Sequence, residues 1–325
     1  MVGKTTAAAG ASRRLKAAAV ASAQRERINL VNTTFFTSSS TRVNPITGEI
    51  LPLPTIPPVS IGFIEYPDGG CELFGVRRIT NKSTSAYLDT EELRHEAEEK
   101  SYGNKEAERR AEERTEVNKA RSTQMACRRA KTKVRRICRY YGLSVMVTLT
   151  FPGKGVHDYD EALHYVQKFI NDHGSALYLD GVYVAVPELH PKGHGWHWHV
   201  LVHRRFTLEE KEWLDWQWTL FLERKGMKVS GGAKFVRINL KDFKNARSGA
   251  AYASKYIGKT FDSDERLKNR KRYLCSRKIH VEVKHGNAFS LDEVRNLIWQ
   301  IDDAYTFDSN ENDEWLGPEV LWASW

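Results

Sequence analysis

Two histidines one residue apart, His197-Trp198-His199, stand between apolar, β-prone stretches, Val182 to Val186 before them and Val200 to Val202 after. On a strand, side chains two apart share a face, separated by about 7 Å from the strand rise. Two imidazoles so placed can converge on one cation. Trp198 is then expected to enter the apolar core, leaving the histidines on an open surface. Glu188 ends the preceding apolar run, and the turn at Pro191-Lys192-Gly193 folds its end toward the next strand. A carboxylate with two imidazoles is a donor set suited to Mg²⁺ or Mn²⁺. Two histidines on an exposed strand are by themselves more often solvated than ligating, and Glu188 is what favours the metal reading. His190 and His194 lie in the turn. A four-histidine zinc cluster is the weaker alternative, because the spacing matches no usual zinc pattern.

A second cluster, Tyr252-Ala-Ser-Lys255-Tyr256, lies in a segment with helical spacing from Asn245 to about Gly258. Tyrosines four apart share a helical face, with about 5–6 Å between their Cβ atoms, and Lys255 neighbours both. Alone, the segment reads as an amphipathic helix that buries one tyrosine and exposes the lysine. Beside a carboxylate and two histidines it gains a chemical meaning. A phenol is a weak nucleophile at neutral pH, with about one in a thousand ionised. It becomes useful against a cation-polarised phosphodiester, giving a covalent phosphotyrosine. The lysine can stabilise charge on the phosphate oxygens or the phenolate.

The chain around these residues has 325 residues, enough for a substantial core, and a net charge of +9. Its pI of about 9.2 favours a polyanionic partner. No apolar run approaches membrane-spanning length, and the four cysteines form no CxxC pair, as expected of a reduced cytosolic protein. Gly3-Lys4-Thr5-Thr6 imitates the end of a phosphate-binding loop but lacks the preceding strand and first glycine, so no nucleotide site is expected.

Residues 1–88 read as a partly disordered extension with a Pro-rich stretch and a hairpin near 61–76. Residues 89–126 read as a charged helical segment. Between Lys119 and Arg139 there are nine Lys or Arg and no acid. Arg128, Arg129, Lys131, Lys133, Arg135 and Arg136 are therefore candidate phosphate contacts, since solvated faces usually mix signs. Lys259 and Arg270-Lys271-Arg272, beside Tyr273, are further candidates for a clamp on backbone and bases.

The compact domain is expected over 127–290. A strand at Val145–Phe151 is followed by a helix opened by Asp158 and Glu161, then by strands at Gly181–Glu188 and Trp196–His203. A helix opened by Thr207 and Glu210 carries aromatics assigned to the core, and a strand at Lys234–Leu240 leads into the tyrosine helix. This pattern predicts an α+β fold with a central, mainly antiparallel sheet and flanking helices. Residues 291–325 read as a helix and an acidic, Trp-rich tail, either a partner-binding segment or a cover on the basic cleft.

Three motifs in order, Val147-Thr-Leu-Thr-Phe151, His197-Trp-His199 and Tyr252-Ala-Ser-Lys-Tyr256, resemble those of the HUH endonucleases. The resemblance is to rolling-circle replication initiators of single-stranded DNA phages and related plasmids, over about residues 120–290. It implies an HUH/RRM-like, ferredoxin-like fold and a protein that nicks one strand at an origin. Tyr252 or Tyr256 would attack the scissile phosphate, with Glu188, His197 and His199 as metal ligands and Lys255 beside the phosphate. Attack leaves a 5′-phosphotyrosine and a free 3′-hydroxyl primer, and paired tyrosines permit alternating cuts and closure of a circle. The implied partners are single-stranded or origin DNA and, since only 69 residues follow Tyr256, a host helicase and polymerase in a bacterial cytoplasm. A transposase or relaxase with the same chemistry is the alternative within this fold. A basic, non-catalytic DNA-binding regulator is the alternative outside enzymes.

Overall fold

The computed structural model of the protein describes residues 20–32, 34–35, 41–43, 50–52, 59–77, 105–173, 182–190, 193–228, 236–262, 270–277, 279–301, 304–312 and 319–325. The chain divides into two units, residues 1–118 with 282–325, and residues 119–281. In the first unit, residues 20–32 are helical (α1), and Thr41–Val43 (β1) pairs antiparallel with Ile50–Pro52 (β2). Val59–Glu65 (β3) and Cys71–Arg77 (β4) form an antiparallel hairpin. Its turn works because Gly69 adopts φ 82°, which costs a glycine little, and Asp68 Oδ1 accepts from the Gly70 amide at 2.9 Å. The helix expected from residue 89 lies outside the described residues up to 104.

From Lys105 to Tyr140 the chain is one helix (α2), of which residues from 119 on belong to the second unit. There follow Val145–Leu149 (β5), Tyr159–His173 (α3), Val184–Leu189 (β6), Trp196–Val202 (β7), Leu208–Arg224 (α4), Asn239–Asp242 (β8), Ala246–Asp262 (α5) and Leu274–Cys275 (β9). The sheet order is β8-β5-β7-β6-β9 with every pair antiparallel. The run β5-α3-β6-β7-α4-β8 thus has its four strands in the order fourth, first, third, second, the ferredoxin-like arrangement.

Strand alternation sends the two faces of this sheet to different helices. Val145, Val147, Trp198 and Val200 pack with Phe169 of α3 and Trp218 of α4. Val184, Val186 and Leu201 pack with Val134 and Ile137 of α2 and with Ala250, Ala253 and Ile257 of α5. Both faces are covered, which is why all seven residues of β7 are buried, histidines included. Helix α4 begins as its sequence predicts: Thr207 Oγ1 accepts from the Glu210 amide and Glu210 Oε2 from the Thr207 amide. Its aromatics divide. Trp218 and Phe221 enter the core, while Trp213 and Trp216 remain 40% and 43% exposed.

The strand predicted over Lys234–Leu240 is observed only as Asn239–Asp242, with residues 231–235 outside the described residues. The physical reason lies on α4. The amides of Val236 and Ile238 donate to Thr219 Oγ1 at 2.8 Å and Asp215 Oδ1 at 2.7 Å, so they are satisfied without a strand partner.

The C-terminal segment returns to the first unit. Lys284–Ala288 (β10), Leu291–Trp299 (α6), Tyr305–Asp308 (β11) and Val320–Ser324 (β12) complete a second antiparallel sheet in the order β10-β3-β4-β12-β11. The acidic, Trp-rich tail therefore ends in an interior strand, and Trp325 stacks with Phe63 at 6.1 Å between ring centroids. Leu321 and Ala323 point into the core with Val294 and Leu297 of α6, a period-two pattern that the acidic neighbours obscure in the sequence. The α+β architecture is as expected, with two five-stranded antiparallel sheets. Among the described residues no helix is long and apolar enough to cross a membrane.

Candidate active site

Strand register brings the acid and the imidazoles together. Glu188 pairs with His197 across β6 and β7, and Thr148 of β5 pairs with His199 on the other side of β7. All four share the face covered by α2 and α5. His199 Nε2 meets Glu188 Oε2 at 2.9 Å and its Nδ1 meets Thr148 Oγ1 at 3.1 Å. A carboxylate only accepts, so the neutral ring carries its proton on Nε2 and takes the threonine hydroxyl on Nδ1. Thr148 thereby fixes the ring. Its place in the first motif was visible in the sequence, but its role depends on the strand pairing.

Helix α5 supplies the other half. Tyr252 and Tyr256 share a face, their hydroxyls 2.8 Å apart. The Tyr256 ring lies against His199 with centroids 4.3 Å apart. Lys259 Nζ donates to Glu188 Oε1 at 2.8 Å and lies 4.9 Å from the Tyr256 ring centroid. On the far side of the pair, Lys241 Nζ of β8 lies 3.9 Å from the Tyr252 ring centroid.

Electrostatics follow from this geometry. Burial works to raise the Glu188 pKa, but hydrogen bonds from His199 and Lys259 outweigh it and hold the carboxyl down at about 2. Burial, aided by His199 and His190, pushes His197 down to about 4, so its ring is neutral at neutral pH. Burial, the Tyr252 hydrogen bond and the Glu188 charge all push the Tyr256 phenol up. The pair is therefore held as phenols until something positive joins it.

Two expectations are corrected. The histidines do not face an open surface: His197 and His199 are only 8% and 6% exposed, because α5 packs on their side of the sheet. Trp198 enters the core as expected. The lysine that touches the acid is Lys259, at i+3 from Tyr256, whereas Lys255 is exposed on the flank of the helix. Helical phase explains the exchange, since positions 252, 256 and 259 fall on one stripe.

Ionised Glu188 and neutral His197 and His199, on one sheet face, suit a divalent cation in donor type and charge. Among the described residues no three such side chains stand around a common point at coordinating distance. Glu188 is instead held by Lys259 and His199.

The turn between β6 and β7 continues the imidazole row. His190 lies 5.0 Å from His194 and 4.9 Å from His197, ring to ring. Gly155 and Gly195, at φ 76° and 71°, bring the loop after β5 against this turn. A Cβ on Gly155 would stand 1.9 Å from the His194 carbonyl oxygen. The Trp196 amide donates to Val156 O at 2.8 Å across the same contact.

The basic residues spread more widely. On α2, Arg129 and Lys133 are exposed, while Arg128, Lys131, Arg135 and Arg136 are half-buried. Lys131 lies against α5, where a Cβ on Gly258 would stand 2.9 Å from its Nζ. Arg270 pairs with Asp160 at 2.7 Å. Arg272 donates to the Thr260 carbonyl near the end of α5 and covers the Phe261 ring at 4.6 Å. Lys271 is exposed, and its carbonyl accepts from the Tyr159 hydroxyl.

Residues 144–261 match the family model of the replication-associated protein ORF2/gene II protein. The match runs from the residue before β5 into the last turn of α5, so it includes Thr148, Glu188, His197, His199, Lys241, both tyrosines and Lys259. It places this segment among replication-associated proteins and is consistent with a rolling-circle replication initiator. Searches of curated proteins and of solved structures found no match.

Proposed function

We propose that the protein is a rolling-circle replication initiator of the HUH type, which nicks single-stranded origin DNA through a tyrosine and later rejoins it. The observation that carries this reading is the meeting of α5 with β7. The Tyr256 ring packs on His199, and Glu188 is held by both His199 and Lys259.

In the reaction, a phenol oxygen attacks the scissile phosphorus, the bond from phosphorus to the 3′-oxygen breaks, and the phenol proton ends on the released 3′-hydroxyl. The phosphodiester's energy is kept in the phosphotyrosine, so rejoining needs no ATP. A divalent cation held by Glu188, His197 and His199 would polarise the phosphate when bound. Thr148 fixes the His199 ring, Trp198 anchors β7 from the opposite face, and Lys259 places an ammonium beside both the acid and the phenol. Lys255, on the exposed flank, is available to phosphate oxygens of the strand, as are Arg129 and Lys133 on α2.

The test is incubation with Mn²⁺ and a randomised pool of single-stranded oligonucleotides labelled at the 3′ end. A labelled covalent adduct is expected from the unaltered protein and none from the Tyr252→Phe, Tyr256→Phe double variant. Tight binding without an adduct would overturn the reading in favour of a non-catalytic binder.

A further inference from the structure

The two tyrosines stand in different electrostatic settings. Tyr256 lies against His199, and the lysine beside it, Lys259, is already ion-paired with Glu188 at 2.8 Å. Tyr252 packs against Phe243 at 5.2 Å and against Tyr256 at 5.0 Å, ring to ring. Its own lysine is Lys241, with Nζ 3.9 Å from its ring centroid and 5.2 Å from that of Phe243. Lys241 is exposed, on the edge strand β8, and among the described residues its ammonium meets no carboxylate. One tyrosine thus adjoins the acid and imidazoles with a neutralised cation. The other sits a step outward, beneath a cation whose charge is uncompensated.

We propose that Tyr256 takes the first phosphodiester and Tyr252 the second, and that Lys241 is the phosphate-binding residue of the second step. The inference rests on the strand-nicking reading above and assigns an order within it. A phosphodiester is an anion, and a compact ammonium with no carboxylate partner is a strong point attractor for its oxygens. Lys241 offers that charge beside Tyr252, and an ammonium over a ring face also holds the ring in place.

The steps balance without a co-reactant. Tyr256 Oη bonds to the first phosphorus, the bond from that phosphorus to the 3′-oxygen breaks, and the phenol proton leaves on the 3′-hydroxyl. Tyr252 does the same at the second site, freeing a new 3′-hydroxyl. That hydroxyl attacks the Tyr256 phosphotyrosine, closing the strand into a circle and returning the proton to the Tyr256 oxygen.

The experiment uses the full-length protein, Mn²⁺ and an oligonucleotide carrying a cleaved site twice, the site being recovered from the randomised pool. First-cut adduct and closed circle are both measured. In Lys241→Gln the ratio of circle to adduct is expected to fall by about a hundredfold, the scale of losing one preorganised electrostatic contact. Lys241→Arg, which keeps the charge, is expected to restore it, whereas a merely structural role would be served equally well by glutamine. Tyr252→Phe is expected to give no circle, and its adduct should map to Tyr256. Equal loss of adduct and circle in Lys241→Gln, or a first adduct that maps to Tyr252, would overturn the proposal and leave strand nicking intact. No adduct from the unaltered protein would remove the nicking reading itself.

Discussion

Lys259 donates from Nζ to Oε1 of Glu188 at 2.8 Å, joining α5 to β6 across 71 residues of sequence. The other oxygen of the same carboxylate meets His199 Nε2 at 2.9 Å. Both contacts end on a group needed for cation binding and remote from the basic surface of α2. Glu188→Ala is therefore expected to lower adduct formation by about 10²- to 10³-fold. Affinity for single-stranded DNA, which phosphate contacts dominate, should change little. Fluorescence anisotropy beside an adduct assay separates the two, and parallel losses would contradict the assignment.

Stability should depend on pH through the same residues. The His197 pKa is held at about 4, against 6.5 for an ordinary histidine, so below pH 6.5 the unfolded chain binds the proton more readily. Its contribution is complete above pH 6.5, declines as pH falls, and is gone near pH 4. The difference corresponds to about 3 kcal/mol at most. Glu188, pulled from 4.5 to about 2, acts with the same sign lower down, between those two values. Urea unfolding of His197→Gln should show a flatter dependence between pH 6.5 and 4 than the unaltered protein. An identical slope would remove His197 as its source.

The loop contact at the histidine turn is expected to be intolerant of a side chain. In Gly155→Ala the new Cβ meets the His194 carbonyl at 1.9 Å, backbone against backbone, in a left-handed conformation. Gly226→Ala shares the conformation, φ 79°, but has open space around it. The second should cost only the conformational term, about 1–2 kcal/mol. The first should cost more and also reduce adduct formation by displacing the turn. Equal changes in melting temperature for the two variants would argue against this.

Much of this site could be read from residue types and spacing, and the reasons are physical. The two-residue period of a strand puts His197 and His199 on one face whatever the fold, and the four-residue period of a helix does the same for Tyr252 and Tyr256. What spacing could not supply was which elements oppose one another. The cover on the histidines depends on α5 packing against β6 and β7, and the choice of Lys259 over Lys255 depends on which stripe of α5 turns inward. The shortness of β8 depends on Asp215 and Thr219 capturing backbone amides from another element. Strand β12 went unseen because its alternation is brief and its surroundings are acidic.

The exposed basic residues of α2 should govern salt dependence. Arg129→Ala with Lys133→Ala is expected to reduce the slope of log affinity against log salt by about 1.4 for single-stranded DNA, if each makes one phosphate contact. The same pair should leave the half-buried Lys131 in place against Gly258. An unchanged slope would take this face of α2 out of the interface.

The most direct measurement is peptide mapping of the covalent adduct formed by the unaltered protein on single-stranded DNA with Mn²⁺. Mass spectrometry should find the nucleotide on the peptide containing Tyr252 and Tyr256, linked through a 5′-phosphate to a tyrosine oxygen. A nucleotide on any other residue, or no adduct under conditions where the DNA is bound, would contradict the account.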